Sequence, residues 1–324
     1  MLVKFLKKLA VLIPMVFGIS LISFFIIHLA PGDPTALFVD PNIDPKELLR
    51  IKANWGLDKP IIIQFFYWLK NIIRGDFGIA YLYNRPVLEL ILERIPATLL
   101  LMGTAFIIIL LISIFFGVYS AYKKDSFLDK IVSILSFIGM SLPSFWVGLM
   151  LILIFSVELN ILPSSGFSNP LLSTSPIYLR IYDIFLHLIL PVSTMVIVGF
   201  AGLTRYIRST TIEVLKQNYI RTARAKGLPE NIVLFKHALR NSLLPLITIV
   251  GMSLPDLFAG AFIIETIFGW PGMGRLGVSA VFSRNYPLIM GIVFISSVLI
   301  LLGNAFADLL YLIADPRIRI DEND

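Results

Sequence analysis

"RTARAKGLPENIVLFKHALRNSLLP", Arg221 to Pro245, is the stretch on which the reading of this chain turns. It carries five Lys or Arg residues (Arg221, Arg224, Lys226, Lys236 and Arg240) against one acid, Glu230, and long apolar runs flank it on both sides. Gly227 suits the position just past a helix end, Pro229 suits the start of the next helix, and "ENIVLFKHALRN" resumes a helical pattern. The stretch therefore reads as a polar helix-turn-helix set between two of the most hydrophobic parts of the chain.

The composition explains the flanks. Of 324 residues, 57% are hydrophobic and only 15% charged, with a mean hydropathy of +0.86. A soluble domain is nearer 45–50% apolar and about 25% charged. Apolar stretches this long exceed what a globular core needs, so lipid is the solvent. The chain has no cysteine, which excludes disulfides, thiolate metal sites and thiol catalysis. His28, His187 and His237 lie far apart and make no ligand pattern.

Six segments are long enough to cross a bilayer. They are Leu9–Ile27, Ile95–Tyr122, Ile131–Val157, Ile184–Thr204, Asn241–Ile264 (interrupted only by Asp256) and Asn285–Ala307. Pro14, Gly139, Pro143, Pro191 and Pro255 fall inside spans, where neighbouring helices re-satisfy the freed backbone groups. The first segment follows Lys4, Lys7 and Lys8 as a signal peptide would, but its apolar core is too long and no small-residue cleavage site follows. It reads as an uncleaved helix.

With the amino terminus inside, the inner segments 1–8, 123–130, 205–240 and 308–324 hold sixteen Lys and Arg, against three in the short outer loops 158–183 and 265–284. The long outer loop 28–94 balances eight basic residues with eight acidic ones, and long loops escape the positive-inside rule. Both termini are expected inside. The net charge of +6 is then topogenic and gives no reason to invoke nucleic acid. Three parts result: 1–29, the inner amino terminus and first span; 30–94, an outer loop with short helices; and 95–324, a five-helix core with an inner loop at 205–240. Within the outer loop, Asp44–Gly56, with Gly56 past the helix end, and Lys59–Gly78, with a stop at Gly75, read as two short amphipathic helices, either a small cap or an interfacial layer. The fourth span is expected to run on as helix through "RYIRSTTIEVLKQNYIRTARAK".

Catalytic motifs fail on inspection. "GMGRLG", Gly272–Gly277, matches the dinucleotide pattern, but a membrane helix precedes it and the next acid, Asp308, lies too far on. It reads as a tight turn between spans. The dipeptide Gly-Lys never occurs, so no Walker A loop exists and any ATP hydrolysis belongs to a partner. Asp256 is the clearest intramembrane charge. "SLPD", Ser253–Asp256, has capping-box spacing, and restarting a broken helix accounts for the carboxylate without a ligand. That reading is preferred, with a place on a substrate path as the alternative.

"RTARAKGL" followed by "HALRNSLLP" resembles the inner loop of the dipeptide, oligopeptide and nickel ABC-importer permeases. Arg221 and Thr222 stand where the general importer signature has Glu-Ala, and Leu244-Pro245 falls later after Gly227 than that signature places it; both departures are typical of the peptide branch. "LAPGDP" (Leu29–Pro34), "RGDFG" (Arg74–Gly78), "GLTRYIRSTTIEVLKQNYIRTARAKG", "ETIFGWPGMGRLG" and "DPRIR" (Asp315–Arg319) extend the resemblance over the whole chain. The long first outer loop resembles the B-type, or first, permease subunit.

The resemblance implies an all-α, six-helix type I importer permease in a bacterial or archaeal cytoplasmic membrane. It implies a second homologous permease subunit, two cytoplasmic ATPases that bind ATP and magnesium, and an extracytoplasmic binding protein that delivers substrate. Arg221, Thr222, Ala223, Arg224, Ala225, Lys226 and Gly227 would form the ATPase-coupling element, the small residues leaving room for the partner surface. The chain itself would hold no cofactor or metal and catalyse nothing. Di- or oligopeptides are the expected cargo; nickel complexes and oligosaccharides are alternatives within the family. A secondary transporter or channel is the rival of a different class, and would need paired intramembrane charges and inverted repeats.

Overall fold

The computed structural model describes residues 2–29, 59–242, 244–253 and 255–314. The expected helix at Asp44–Gly56 and the terminal "DPRIR" lie outside those residues. The chain is built from helices: α1 (Leu2–Leu29), α2 (Ile61–Ile73), α3 (Val87–Tyr122), α4 (Phe127–Ser141), α5 (Ser144–Leu151), α6 (Ile177–Leu215), α7 (Asn218–Ala225), α8 (Glu230–Ile232), α9 (Arg240–Ser242), α10 (Leu244–Ser253), α11 (Asp256–Ala259), α12 (Phe262–Ile267), α13 (Met273–Phe282) and α14 (Tyr286–Ala314). One two-residue hairpin, β1 (Ile79–Ala80) on β2 (Arg85–Pro86), is antiparallel with Ile79 opposite Pro86.

By length and apolarity, four stretches can each cross a bilayer: α3, α6, the region Ile249–Ile267 and the main part of α14. α4 and α5, the latter extended by a π-helical stretch Ile152–Glu158, form a fifth only if taken together, for they meet at 103°. The bend lies at Leu142–Pro143. Leu142 is extended (φ −87°, ψ 128°), as the residue before proline prefers, and Pro143 has no N–H to continue the ladder. The expected span over Ile131–Val157, which holds Gly139 and Pro143, is therefore bent at that proline. α1 contributes a shorter apolar stretch, Ile13–Leu29.

Two helices organise the rest. α3 has 36 residues and α6 has 39, about 54 and 58 Å at 1.5 Å per residue, against about 30 Å of hydrocarbon. Each must project well beyond the lipid. They pack along their lengths, and α4 lies against α6 where Gly139 faces it; a Cβ there would sit 2.7 Å from the Ile197 carbonyl oxygen. Such close backbone approach is how membrane helices associate when lipid removes the hydrophobic drive.

One expectation, the unbroken continuation of the fourth span, is corrected. α6 does not run through to Lys226: it stops at Leu215, the Lys216 and Gln217 N–H groups bond back to Glu213 and Val214, and Gln217 turns extended (ψ 150°) before α7 begins. The segment Asn241–Ile264 is broken, and a helix restarts at Asp256 as expected: α10 ends at Ser253, α11 begins at Asp256, and Gly260, whose φ of +79° leaves the helical region, separates α11 from α12.

α2 falls inside the stretch Lys59–Gly78 and ends at Ile73, with Gly75 in the turn that follows at φ +82°, where the helix was expected to stop. Phe65 is buried with Phe24 of α1 and Met290 of α14, while Ile62, Phe66 and Ile73 remain exposed.

Candidate functional site

α7 is closed by its own chain. Gly227 takes φ +74°, its N–H donates to the Arg224 carbonyl (2.9 Å), and the Leu228 N–H reaches the Ala223 carbonyl (3.4 Å). This pair of bonds is a Schellman motif, and it needs a left-handed residue that L side chains resist. Arg224 then clamps the turn: its Nη2 donates to Glu230 Oε1 at 2.6 Å and its Nε to both carboxylate oxygens at 3.2 Å. The guanidinium holds the Glu230 carboxyl below the usual carboxylate range, and the carboxylate raises Arg224 in return.

The expected small-residue face is divided by the packing. Ala223 turns inward with Ile220, against Val233 and Ala238 of the following π-helical stretch Val233–Leu239. Its small side chain serves the fold of the loop rather than an approaching surface, which corrects the reason given for it. Arg221, Thr222, Ala225, Lys226 and Gly227 are exposed, and so is Arg224 despite its partner. The outward face is therefore cationic. The structure gathers Arg221 through Gly227 in one compact element and leaves Asp256 elsewhere.

The π-helical stretch ties this element to the membrane part. Leu234 packs with Val118 of α3, Ile207 of α6 and Leu246 of α10. α10 then supplies Ile249, Val250 and Ser253 to a cavity of about 410 Å³. Its other walls are α3, through Met102 and Phe106, and α6, through Met195 and Tyr206. Asp256 of α11 lines the same cavity and is exposed to it. The capping box preferred from the sequence does not form: the Ser253 hydroxyl donates back to the Ile249 carbonyl (2.9 Å), and no side chain caps α11. Among the described residues the Asp256 carboxylate accepts no hydrogen bond.

Two polar centres escaped the sequence reading. Glu265, the first residue of the expected outer loop 265–284, is fully buried. Its carboxylate accepts from the Thr98 hydroxyl (3.1 Å), the Ala261 N–H (3.3 Å) and the Arg275 N–H (2.9 Å), and Thr98 in turn accepts from the Met273 N–H (2.7 Å). Together they satisfy backbone donors at the start of α13 that have no partner within the helix. Gly272 lies so close that a Cβ would collide with the carboxylate. "GMGRLG" is thus shaped around an internal acid, and beside it the Trp270 indole N–H donates to the Ala97 carbonyl (2.8 Å). Asp129, at the other end of the bundle, accepts from Arg208 Nε (2.6 Å) and Nη2 (2.8 Å), from the Ser120 hydroxyl and from the Asp125 N–H (2.9 Å). That clamp joins α3, α4 and α6. Only the sequence spacing Ser126-x-x-Asp129 hinted at it, as a helix start.

Residues 113–320 match the family model described as binding-protein-dependent transport system inner membrane component, and residues 1–102 match the model for the N-terminal part of such membrane components. The chain is 47% identical over 307 residues to the oligopeptide transport system permease protein AppB of Bacillus subtilis (strain 168), covering 94% of this chain and 96% of that one. It is 35% identical over 332 residues to the dipeptide transport system permease protein DppB of Alkalihalophilus pseudofirmus, covering 98% and 100%.

Proposed function

The chain belongs to the family of binding-protein-dependent transport system inner membrane components, and we propose that it is the first of two permease subunits in an ATP-driven importer of di- or oligopeptides. The near full-length likeness to permeases named for oligopeptides and dipeptides carries this reading. In it α1 is the first of six spans, both termini and the loop 205–240 face the cytoplasm, and an extracytoplasmic binding protein delivers the cargo. ATP and magnesium belong to two partner ATPases, one of which receives α7.

The geometry of the loop supports that role. The exposed residues of α7 and its turn offer a cationic surface, and the segment that follows passes directly into α10, a wall of the cavity. Nucleotide-driven movement of a docked ATPase would reach the cavity through packed side chains, which is what alternation between two states requires. A second homologous permease would complete the path. Asp256 supplies a carboxylate to an otherwise mostly apolar and methionine-bearing wall, suited to the amino terminus of a peptide whose side chains vary.

Co-expression with the candidate ATPases tests the assignment. The chain should be retained with them in mild detergent, and reconstituted vesicles should take up labelled dipeptide only with ATP on the α7 side. Ala225→Trp, on the exposed face, should abolish retention while leaving membrane insertion intact. Uptake without ATPases or nucleotide, driven by an ion gradient, would establish the secondary-transporter reading instead.

A further inference from the structure

A second, smaller cavity opens between α4 and α6, away from the one Asp256 lines. It holds about 180 Å³ and is walled by Ser133, Ser136 and Phe137 of α4 and by Thr204, Arg205 and Arg208 of α6, among others. Pockets for drug-sized ligands begin at about 300 Å³, so this one takes a single small group. Three hydroxyls and two guanidinium groups among its walls make that group an oxyanion.

The charges are not equivalent. Arg208 is already engaged by both oxygens of Asp129. Arg205 has no carboxylate partner among the described residues; its guanidinium lies over the Phe137 ring, 5.3 Å from the centroid. Among the described residues one positive charge therefore remains uncompensated. Thr204 is 1% exposed, and its buried hydroxyl has no hydrogen-bond partner among the described residues. A threonine in a helix ordinarily bonds back to the preceding turn, and an unpaired buried hydroxyl is costly. Here it lines the cavity, in place to donate to a guest.

The position selects the guest. Arg205 is the first residue past the uncharged run Ile184–Thr204, so the cavity lies where hydrocarbon gives way to headgroups. The α4 face beside it, Ile134, Phe137, Ile138 and Met140, is apolar and exposed. We propose that the cleft between α4 and α6 binds the phosphate of an anionic phospholipid, Arg205 supplying the charge and Thr204 a hydrogen bond, with the acyl chains along α4. Basic pockets between helices at this depth are suited to such headgroups, and guanidinium geometry matches phosphate oxygens.

The importer should be reconstituted in nanodiscs of phosphatidylcholine with a minor fraction of phosphatidylglycerol, and the lipid retained after transfer to mild detergent measured by native mass spectrometry. Wild type should retain phosphatidylglycerol selectively. Arg205→Gln should cut that selectivity about fivefold, the loss of one basic residue near the surface, and Thr204→Val should cut it less. Both variants should melt with wild type in pure phosphatidylcholine, which separates lost binding from misfolding. Equal selectivity in wild type and Arg205→Gln would overturn the proposal. So would Arg205-dependent stabilisation by inorganic phosphate in phosphatidylcholine without enrichment of phosphatidylglycerol, since the site would then serve a free anion.

Discussion

Replacing Glu265 should loosen the outer end of the molecule by an amount the contacts define. In Glu265→Ala, the buried Thr98 hydroxyl loses an acceptor at 3.1 Å and the part-buried Arg275 N–H one at 2.9 Å, and the longer bond from Ala261 goes as well. A buried donor left without a partner costs about 1–3 kcal/mol. Removing the acid from the start of α13 adds about 0.3–1 kcal/mol through the helix dipole. The total is about 4 kcal/mol. Glu265→Gln keeps one acceptor oxygen but turns an NH₂ toward a backbone donor, for about 2 kcal/mol. At about 2 °C per kcal/mol for a chain of this size, the melting temperature should fall by about 8 °C and 4 °C respectively. Tryptophan emission during heating in detergent reads this directly, because Trp270 is buried in the same cluster. Thr98→Val combined with Glu265→Ala should cost less than the two separately, since both remove one bond. An alanine variant that melts within about 1 °C of wild type would refute the assignment of this carboxylate as the internal clasp of α13.

Asp129→Ala leaves Arg208 without its buried partner and should cost about 3–5 kcal/mol, seen as lost expression or early melting, whereas exchanging Lys124 for Gln at the exposed surface should change neither. Asp256→Asn should reduce uptake of peptides with a free amino terminus several-fold and leave N-acetylated analogues nearly unaffected; an equal loss for both would remove Asp256 from the path. The Arg224–Glu230 pair stabilises the turn above the ordinary carboxylate pKa and loses that contribution as pH falls through the lower folded value. Both groups face solvent, so the effect is below about 1 kcal/mol, and the melting difference between wild type and Glu230→Gln should shrink as the pH falls below the ordinary carboxylate range and vanish below the lowered folded value. Single cysteines at 168 and 225 in this cysteine-free chain should label from opposite sides of sealed cells, 168 from outside.

Hydropathy made the membrane class and most of the apolar segments legible, because a twenty-residue uncharged run has few other uses. The turn at Gly227 was legible too, since a left-handed helix end has a strong local preference. The breaks were not. In lipid, outward and inward helix faces are equally apolar, so nothing in the pattern separates a straight Ile131–Val157 from one bent by 103°. Pro143 looked like a tolerated interior proline, because a proline inside an apolar run is as compatible with a slight kink as with a sharp bend. The burial of Glu265 was illegible for a related reason: its donors come from Thr98, 167 residues earlier, and from α13, across a turn. Ser253 and Asp256 show the converse, a correct local spacing overridden when the hydroxyl found the Ile249 carbonyl first.

The way α7 is fastened has a mechanical consequence. A lever on a slack pivot wastes the first part of every stroke. Here the helix, its Schellman turn and the π-helical stretch share one set of buried contacts through Ile220, Ala223, Val233 and Ala238, and Leu234 reaches on to α10. The assembly has the character of a crank cut from one piece, with no joint between the handle and the shaft. If an ATPase docks on its cationic face as proposed, a displacement imposed there would be carried to the cavity wall, and substitutions that hollow out those four side chains would introduce backlash.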